Sequence, residues 1–262
     1  MKKQFLYFLV ISLFSFLTAF SESFASDSPS GAKAGVFTVV IDPGHGGKDG
    51  GTSSATTKEK DLVLKIALKL STALKAKGVK VVLTRSTDVF VPLYERIEKA
   101  NRVKADLFIS LHCNSLPYNK KNRSAFQGVE TYVSGFGRMD EQDVAIRENA
   151  SILLEKDYKK NYNGYDPKDP ESIILLSLMK NTYRVKSIKL AKLIQDEYVK
   201  RGRRDRGVHE KSLAVLARAG MPAVLTEIGY LSSPSEERYM KSAEGQREIV
   251  ASIVNAVMDY KN

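Results

Sequence analysis

The sequence predicts an α/β domain built around a parallel core, and three observations carry that expectation. Short apolar runs alternate with segments of helical periodicity, the pattern of this fold class. With 262 residues, 43% of them apolar and 27% charged, the chain can bury a sizeable core, so neither a disordered segment nor a small stapled module fits it. Its single cysteine, Cys113, excludes an intramolecular disulfide, a thiolate zinc cluster and CxxC redox chemistry.

Taken in order, Val36 to Ile41 reads as the first strand. It is followed by a helix from Glu59 to Lys77, whose Leu62, Ile66, Leu70 and Leu74 share one face. Gly78 caps that helix and Val79 to Leu83 is the next strand. Leu93 to Lys104 reads as a second helix, Leu107 to Leu111 as a third strand and Val129 to Val133 as a fourth, and the β-α-β order implies parallel pairing. Ser187 to Arg201 is helical. Val215 with Leu216, and then Ala223 to Thr226, read as short strands, and Ala243 to Tyr260 as a closing amphipathic helix. The stretch from Met139 to Lys180 breaks the alternation, being polar and Tyr-rich with two prolines. A long excursion in a compact domain is either a solvated surface loop or a lid or docking site.

At the N-terminus, Lys2 and Lys3 precede an apolar run from Phe5 to Phe20 and the small-residue ending Ser23-Phe24-Ala25, the pattern of a secretory signal. The run is about 16 residues, short of the roughly 20 that span a bilayer. Residues 1–25 are therefore expected to be removed on export to the periplasm or beyond, leaving no membrane anchor. Residues 26–35 then form a Ser/Gly/Ala-rich connector, and residues 36–262 one domain. The 41 Lys and Arg against 30 Asp and Glu give +11 and favour an anionic partner. Export makes nucleic acid a poor candidate, leaving cell-wall polymer, lipid headgroups or plain solubility.

The chemistry lies beyond the carboxyl ends of the strands, where open α/β sheets gather their ligands. Ile41-Asp42-Pro43-Gly44-His45-Gly46-Gly47 sets a histidine on a Gly-rich turn after the first strand, and Phe108-Ile109-Ser110-Leu111-His112-Cys113-Asn114 sets another just past the third. Glu59 opens the first long helix, so its carboxylate can lie over the same edge. Two histidines and one glutamate suffice to hold a catalytic Zn²⁺ that keeps a position open for water. The alternatives are a hydrogen-bonded turn for either histidine and a capping box, Thr56-x-x-Glu59, for the glutamate. The third histidine, His209, lies in the basic run from Arg201 to Lys211, exposed or substrate-facing. Deprotonating a water and protonating a leaving amine needs a further carboxylate, and Glu227, ending Ala223-Val224-Leu225-Thr226, fits; otherwise it pairs with Arg206 or Arg218.

These motifs resemble those of the zinc-dependent N-acetylmuramoyl-L-alanine amidases of bacterial cell-wall turnover. The likeness runs through Val39 to Gly51 with Glu59 following, through Leu83-Thr84-Arg85, Arg96 and Ala105 to Asn114, and through Leu213 to Leu216 and Met221 to Ser232. Cys113 and Ser232 stand where Ala and Asn are common in relatives. The resemblance implies a twisted, mostly parallel mixed sheet of about six strands with helices on both faces. It implies one Zn²⁺ per chain on His45, Glu59 and His112, and Glu227 as the catalytic carboxylate. The implied substrate is peptidoglycan, cut at the amide between the lactyl group of N-acetylmuramic acid and L-alanine of the stem peptide. In relatives that split daughter cells, a helical insertion covers the zinc until an activator protein moves it. Residues 139–180 are then expected to be such a lid, with Glu148, Glu155 or Glu171 approaching the metal and Glu130 a further neighbour. Another secreted zinc hydrolase, a carboxypeptidase or deacetylase, or a non-catalytic wall-binding module, would share some of these features.

Overall fold

The computed structural model describes residues 35–135, 141–162, 164–166, 169–178 and 182–262. The expected export signal, nearly all of the connector and parts of the 139–180 insertion lie outside them. From Val36 onward the chain forms one compact unit.

Its centre is a mixed sheet of six strands among the described residues: β1 (Thr38–Pro43), β2 (Lys80–Leu83), β3 (Leu107–Asn114), β4 (Val129–Ser134), β5 (Asp205–Lys211) and β6 (Ala223–Tyr230). They lie in the order β2-β1-β3-β6-β4-β5. The first four are mutually parallel, β4 runs antiparallel to β6, and β5 runs parallel to β4. The helices of seven residues or more among the described residues are α1 (Glu59–Ala76), α2 (Leu93–Arg102), α3 (Asp143–Asn149), α4 (Pro170–Leu178), α5 (Arg184–Lys200), α6 (Pro234–Lys241) and α7 (Ala243–Lys261).

Side-chain alternation along the strands sorts the core into two layers. Val39, Ile41, Leu107, Ile109 and Val224 face one layer, closed by apolar stripes of α1, α5 and α7 such as Ile66, Ile194 and Ile253. Val40, Phe108, Tyr132 and Leu225 face the other, closed by Ile97 of α2 and by the segment from Leu213 to Ala219. Ala145, Ile152, Tyr162 and Tyr165 of the insertion belong to this second layer, so the insertion is no solvated excursion.

One expectation fails. Val215 and Leu216 form a buried turn, held by Leu216 N donating to Leu213 O at 3.0 Å, instead of a strand. The apolar run there fills the second layer without a neighbour to pair with. The basic run at 205–211 is the edge strand β5, whose mostly half-buried residues give it no apolar alternation.

Beneath the carboxyl ends of β1 and β3 lies a buried polar knot. The fully buried Asp42 accepts from Thr84 Oγ1 (2.5 Å), Ser110 Oγ (2.7 Å) and Arg96 Nη1 (2.8 Å). Arg96 also donates to Val91 O, Pro43 O and His45 O, at 2.9, 2.8 and 2.7 Å. Burial alone would favour a protonated Asp42, but Arg96 and the two hydroxyls hold its carboxyl below the usual range. Removing one partner of such a pair strands a buried charge and costs about 3–5 kcal/mol. Arg96→Ala is expected to lose that much stability in denaturant unfolding, and a loss below about 1 kcal/mol, typical of an exposed pair, would contradict the role assigned to the knot.

Candidate metal centre

His45 follows β1 in a left-handed backbone conformation, φ 59°, which only strong local restraint maintains in a non-glycine residue. The restraint is visible: Arg96 holds its carbonyl, and Arg85 donates to the preceding carbonyls of Pro43 and Gly44 at 3.0 and 2.7 Å. His112 lies on β3 level with the residues after β1. Gly44 makes room for it, since a Cβ there would stand 2.5 Å from the imidazole. Glu59 opens α1 with both oxygens engaged, Oε1 accepting from Cys113 N and Oε2 from Thr52 N, each at 2.8 Å. The N-cap of α1 is Lys58 with no side-chain cap, so the capping-box alternative is not realised.

The insertion contributes a fourth group. Glu148, near the end of α3, points its Oε2 to 2.9 Å from His112 Nδ1 and 3.4 Å from His45 Nε2. Glu59 Oε1 lies 3.1 and 3.2 Å from the same two nitrogens. One ligand atom from each of His45, Glu59, His112 and Glu148 thus falls within 4.8 Å of every other, all four residues being buried. His45 Nε2, His112 Nδ1 and Glu148 Oε2 nevertheless lack hydrogen-bond partners. Buried polar atoms normally find partners. Three unmet atoms converging on one point fit a divalent cation, and two imidazoles with two carboxylates are a donor set that zinc accepts. Asp49 Oδ2 lies 2.9 Å from His45 Nδ1, so the other ring nitrogen is the one free to ligate.

Glu227 sits beside this cluster, in register with His112 on one side and Glu130 on the other. Its Oε1 is 3.5 Å from Arg147 Nη2, and its Oε2 is buried and unpartnered. Burial, with the charge of Glu148 next, pushes its carboxyl well above the usual range against the pull of Arg147. Neither expected alternative partner reaches it: Arg206 stacks on Phe126 at 3.4 Å, and Arg218 donates to Asn161 O. The remaining candidates lie elsewhere. Glu155 accepts from Leu93 N and Tyr162 Oη, Glu171 is exposed, and Glu130 accepts from the hydroxyls of Tyr132 and Tyr230. His209 is exposed on β5, its Nε2 2.6 Å from Arg206 O, away from the cluster. Sequence reasoning missed Asp49, marked only by its spacing of four from His45, and Arg147, which nothing but its neighbour Glu148 flags.

Burial disfavours charge on His112, but Glu148 and Glu59 overcome this and push the imidazole up to about 9. His45 is likewise raised, burial being outweighed by Glu59 and Asp49. Both rings therefore hold a proton more tightly than a free imidazole, and a metal binding there competes with it. Loading a divalent metal at pH 7 is expected to release protons from the imidazoles, with His112 contributing to an affinity that rises as pH rises towards 9. Calorimetry in buffers of different ionisation enthalpy measures the number, and no proton release would contradict the assignment of these nitrogens.

The sequence profile of the N-acetylmuramoyl-L-alanine amidase family matches residues 39–259. The chain is 30% identical to the N-acetylmuramoyl-L-alanine amidase AmiC of Escherichia coli O6:H1 over 242 residues, 90% of this chain and 56% of that protein. It is 31% identical to AmiA of Escherichia coli K12 over 232 residues, 85% of this chain and 75% of that protein. It spans about half the length of AmiC from Escherichia coli and from Neisseria meningitidis. Among solved structures, an N-acetylmuramoyl-L-alanine amidase from Clostridium difficile 630 superimposes with a TM-score of 0.64 at 31% identity, covering 86% of this chain and 97% of that one. AmiC2 of Nostoc punctiforme gives a TM-score of 0.61 at 27% identity, with the same coverage.

Proposed function

Because the chain belongs to the N-acetylmuramoyl-L-alanine amidase family, we propose that it hydrolyses the amide joining the lactyl group of N-acetylmuramic acid to L-alanine of the peptidoglycan stem. The observation that carries this reading is the convergence of three unpartnered buried atoms of His45, His112 and Glu148 on one point, with Glu227 next to it. His45, Glu59 and His112 would hold one zinc ion, which when bound would supply Lewis acidity to the scissile carbonyl and acidity to the attacking water.

Glu227 takes the proton of that water and passes it to the departing alanine nitrogen, so that a neutral amine leaves. Its buried setting suits the first half of this work, since a carboxylate raised above its ordinary range is a stronger base towards that water. Asp49 orients His45, and Arg85 and Arg96 hold the turn that carries it.

Glu148 makes the described conformation a resting one. With a metal bound, its carboxylate would compete with substrate and water for the ion, while Arg147 pairs with both Glu148 and Glu227. Asn149 anchors the segment by donating to Ser212 O and accepting from Ala214 N, both at 2.8 Å. An activator protein acting on residues 139–180 would have to break these bonds. Export is supported by the pattern in residues 1–25 and by the cell-wall substrate. Among the described residues no helix is long and apolar enough to cross a membrane.

Mass spectrometry of purified peptidoglycan incubated with the zinc-loaded protein, with and without a chelator, tests the reaction. Stem peptides with a free N-terminal L-alanine, absent from the chelated sample, are expected; release of terminal alanine or acetate instead would assign a carboxypeptidase or a deacetylase.

A further inference from the structure

Two grooves share Gly51, Thr52 and Arg147 beside the cluster. One, of about 310 Å³, runs along His45, Asp49 and Leu154. The other, of about 790 Å³, passes Asn114, Glu130 and Tyr230 and ends at the loop carrying Tyr118, Lys120 and Arg123. Glu227 is on the side of the second, because its register neighbour Glu130 lines that groove. An acid that protonates the leaving nitrogen has to stand on the leaving-group side of the bond. On the amidase reading, this directs the stem peptide towards the larger groove.

The far end of the larger groove is built for an anion. The Arg123 guanidinium is fixed by Nε donating to Leu116 O at 2.6 Å, by Nη2 donating to Ser115 Oγ at 3.4 Å, and by stacking 4.3 Å from the centre of the Tyr118 ring. Its Nη1 has no partner among the described residues, and neither has the exposed amine of Lys120. A guanidinium held in this way loses little freedom on binding and matches a carboxylate through two parallel bonds. The first free carboxylate along a stem peptide is the α-carboxyl of its γ-linked glutamate, one residue after the alanine, unless that group is amidated.

Granted the amidase reading, we propose that Arg123, with Lys120 beside it, is the specificity-determining clamp for this carboxylate, so that the enzyme distinguishes stem peptides with a free glutamate α-carboxyl from amidated ones. A charge-assisted hydrogen bond of this kind corresponds to about a tenfold preference.

The test compares kcat/KM of the zinc-loaded full chain on N-acetylmuramoyl-L-alanyl-γ-D-glutamyl-L-lysine and on its isoglutamine counterpart. A preference of about tenfold for the acid, carried by KM, is expected. In Arg123→Gln the ratio falls towards one, and in Arg123→Lys it recovers part of its value. Equal use of both substrates by the wild type, or a ratio unchanged in Arg123→Gln, overturns the clamp while leaving the amidase reading intact. Turnover of neither, even with Glu148→Ala, contradicts the amidase reading instead. Binding of the free tripeptide, followed by NMR, decides the clamp in that case. The acid is expected to shift amides of residues 114–126 and the isoglutamine form far less. Equal shifts, no shifts, or shifts there from N-acetylmuramic acid alone, overturn it.

Discussion

The Glu227→Gln variant is expected to lose about 10²- to 10⁴-fold in kcat while keeping its zinc and its fold. The carboxylate is outside the four-atom cluster, so the metal is retained. The amide fills the same fully buried space but cannot take up and return a proton. Stability separates this from a structural effect. Burial raises the Glu227 carboxyl well above its ordinary value, so ionising it opposes folding and its contribution is lost as pH rises towards that raised value. A neutral amide is therefore expected to leave the unfolding free energy at pH 7 unchanged or higher. Loss of activity together with loss of zinc or of fold would contradict the proton-shuttling role, as would activity within threefold of the wild type.

The Glu148→Ala variant is expected to move activity the other way, raising kcat/KM on peptidoglycan by about ten- to a hundredfold. Among the described residues the buried carboxylate is the one group the insertion supplies to the cluster, and losing a charge-assisted contact of about 1.5–3 kcal/mol shifts the closed population by that factor. A point substitution is the cleaner probe. Removing residues 139–180 outright would strip Ala145, Ile152, Tyr162 and Tyr165 from the second core layer and uncover the segment around Leu216. Activity assayed against the same peptidoglycan in both proteins checks the expectation, and a fall in the variant would mean that Glu148 serves catalysis and not rest.

Much of this site was legible in the sequence because its residues stand where strands end. His45 and His112 follow apolar runs that could hardly be anything but strands, and Glu59 begins a helix of unmistakable period. The insertion announced itself only by composition. Nothing in its sequence separates Glu148 from Glu155 or Glu171, because the choice depends on where Asn149 is tied to the loop after β5. β5 was invisible for a different reason. An edge strand beside β4, with the sequence DRGVHEK, has little to bury and so no alternation to read. Helix α6 did carry a start signal, Ser233 followed by Pro234 at the first turn, but its eight residues are too short for a periodic pattern. The knot of Asp42, Arg96, Thr84 and Ser110 joins four separate elements, and sequence proximity says nothing of it.

The central proposal is that His45, Glu59, His112 and Glu148, the last from the insertion, would hold one metal together. Cobalt(II) replaces zinc at sites of this kind and reports its coordination in the visible spectrum, so the cobalt-loaded wild type and Glu148→Ala can be titrated with azide. With Glu148 in place no ligand position is open, and the wild-type spectrum is expected to stay unchanged while that of Glu148→Ala shifts with saturable binding. A wild-type spectrum that responds to azide as readily as the variant's would contradict the account, since Glu148 would then occupy no position on the metal.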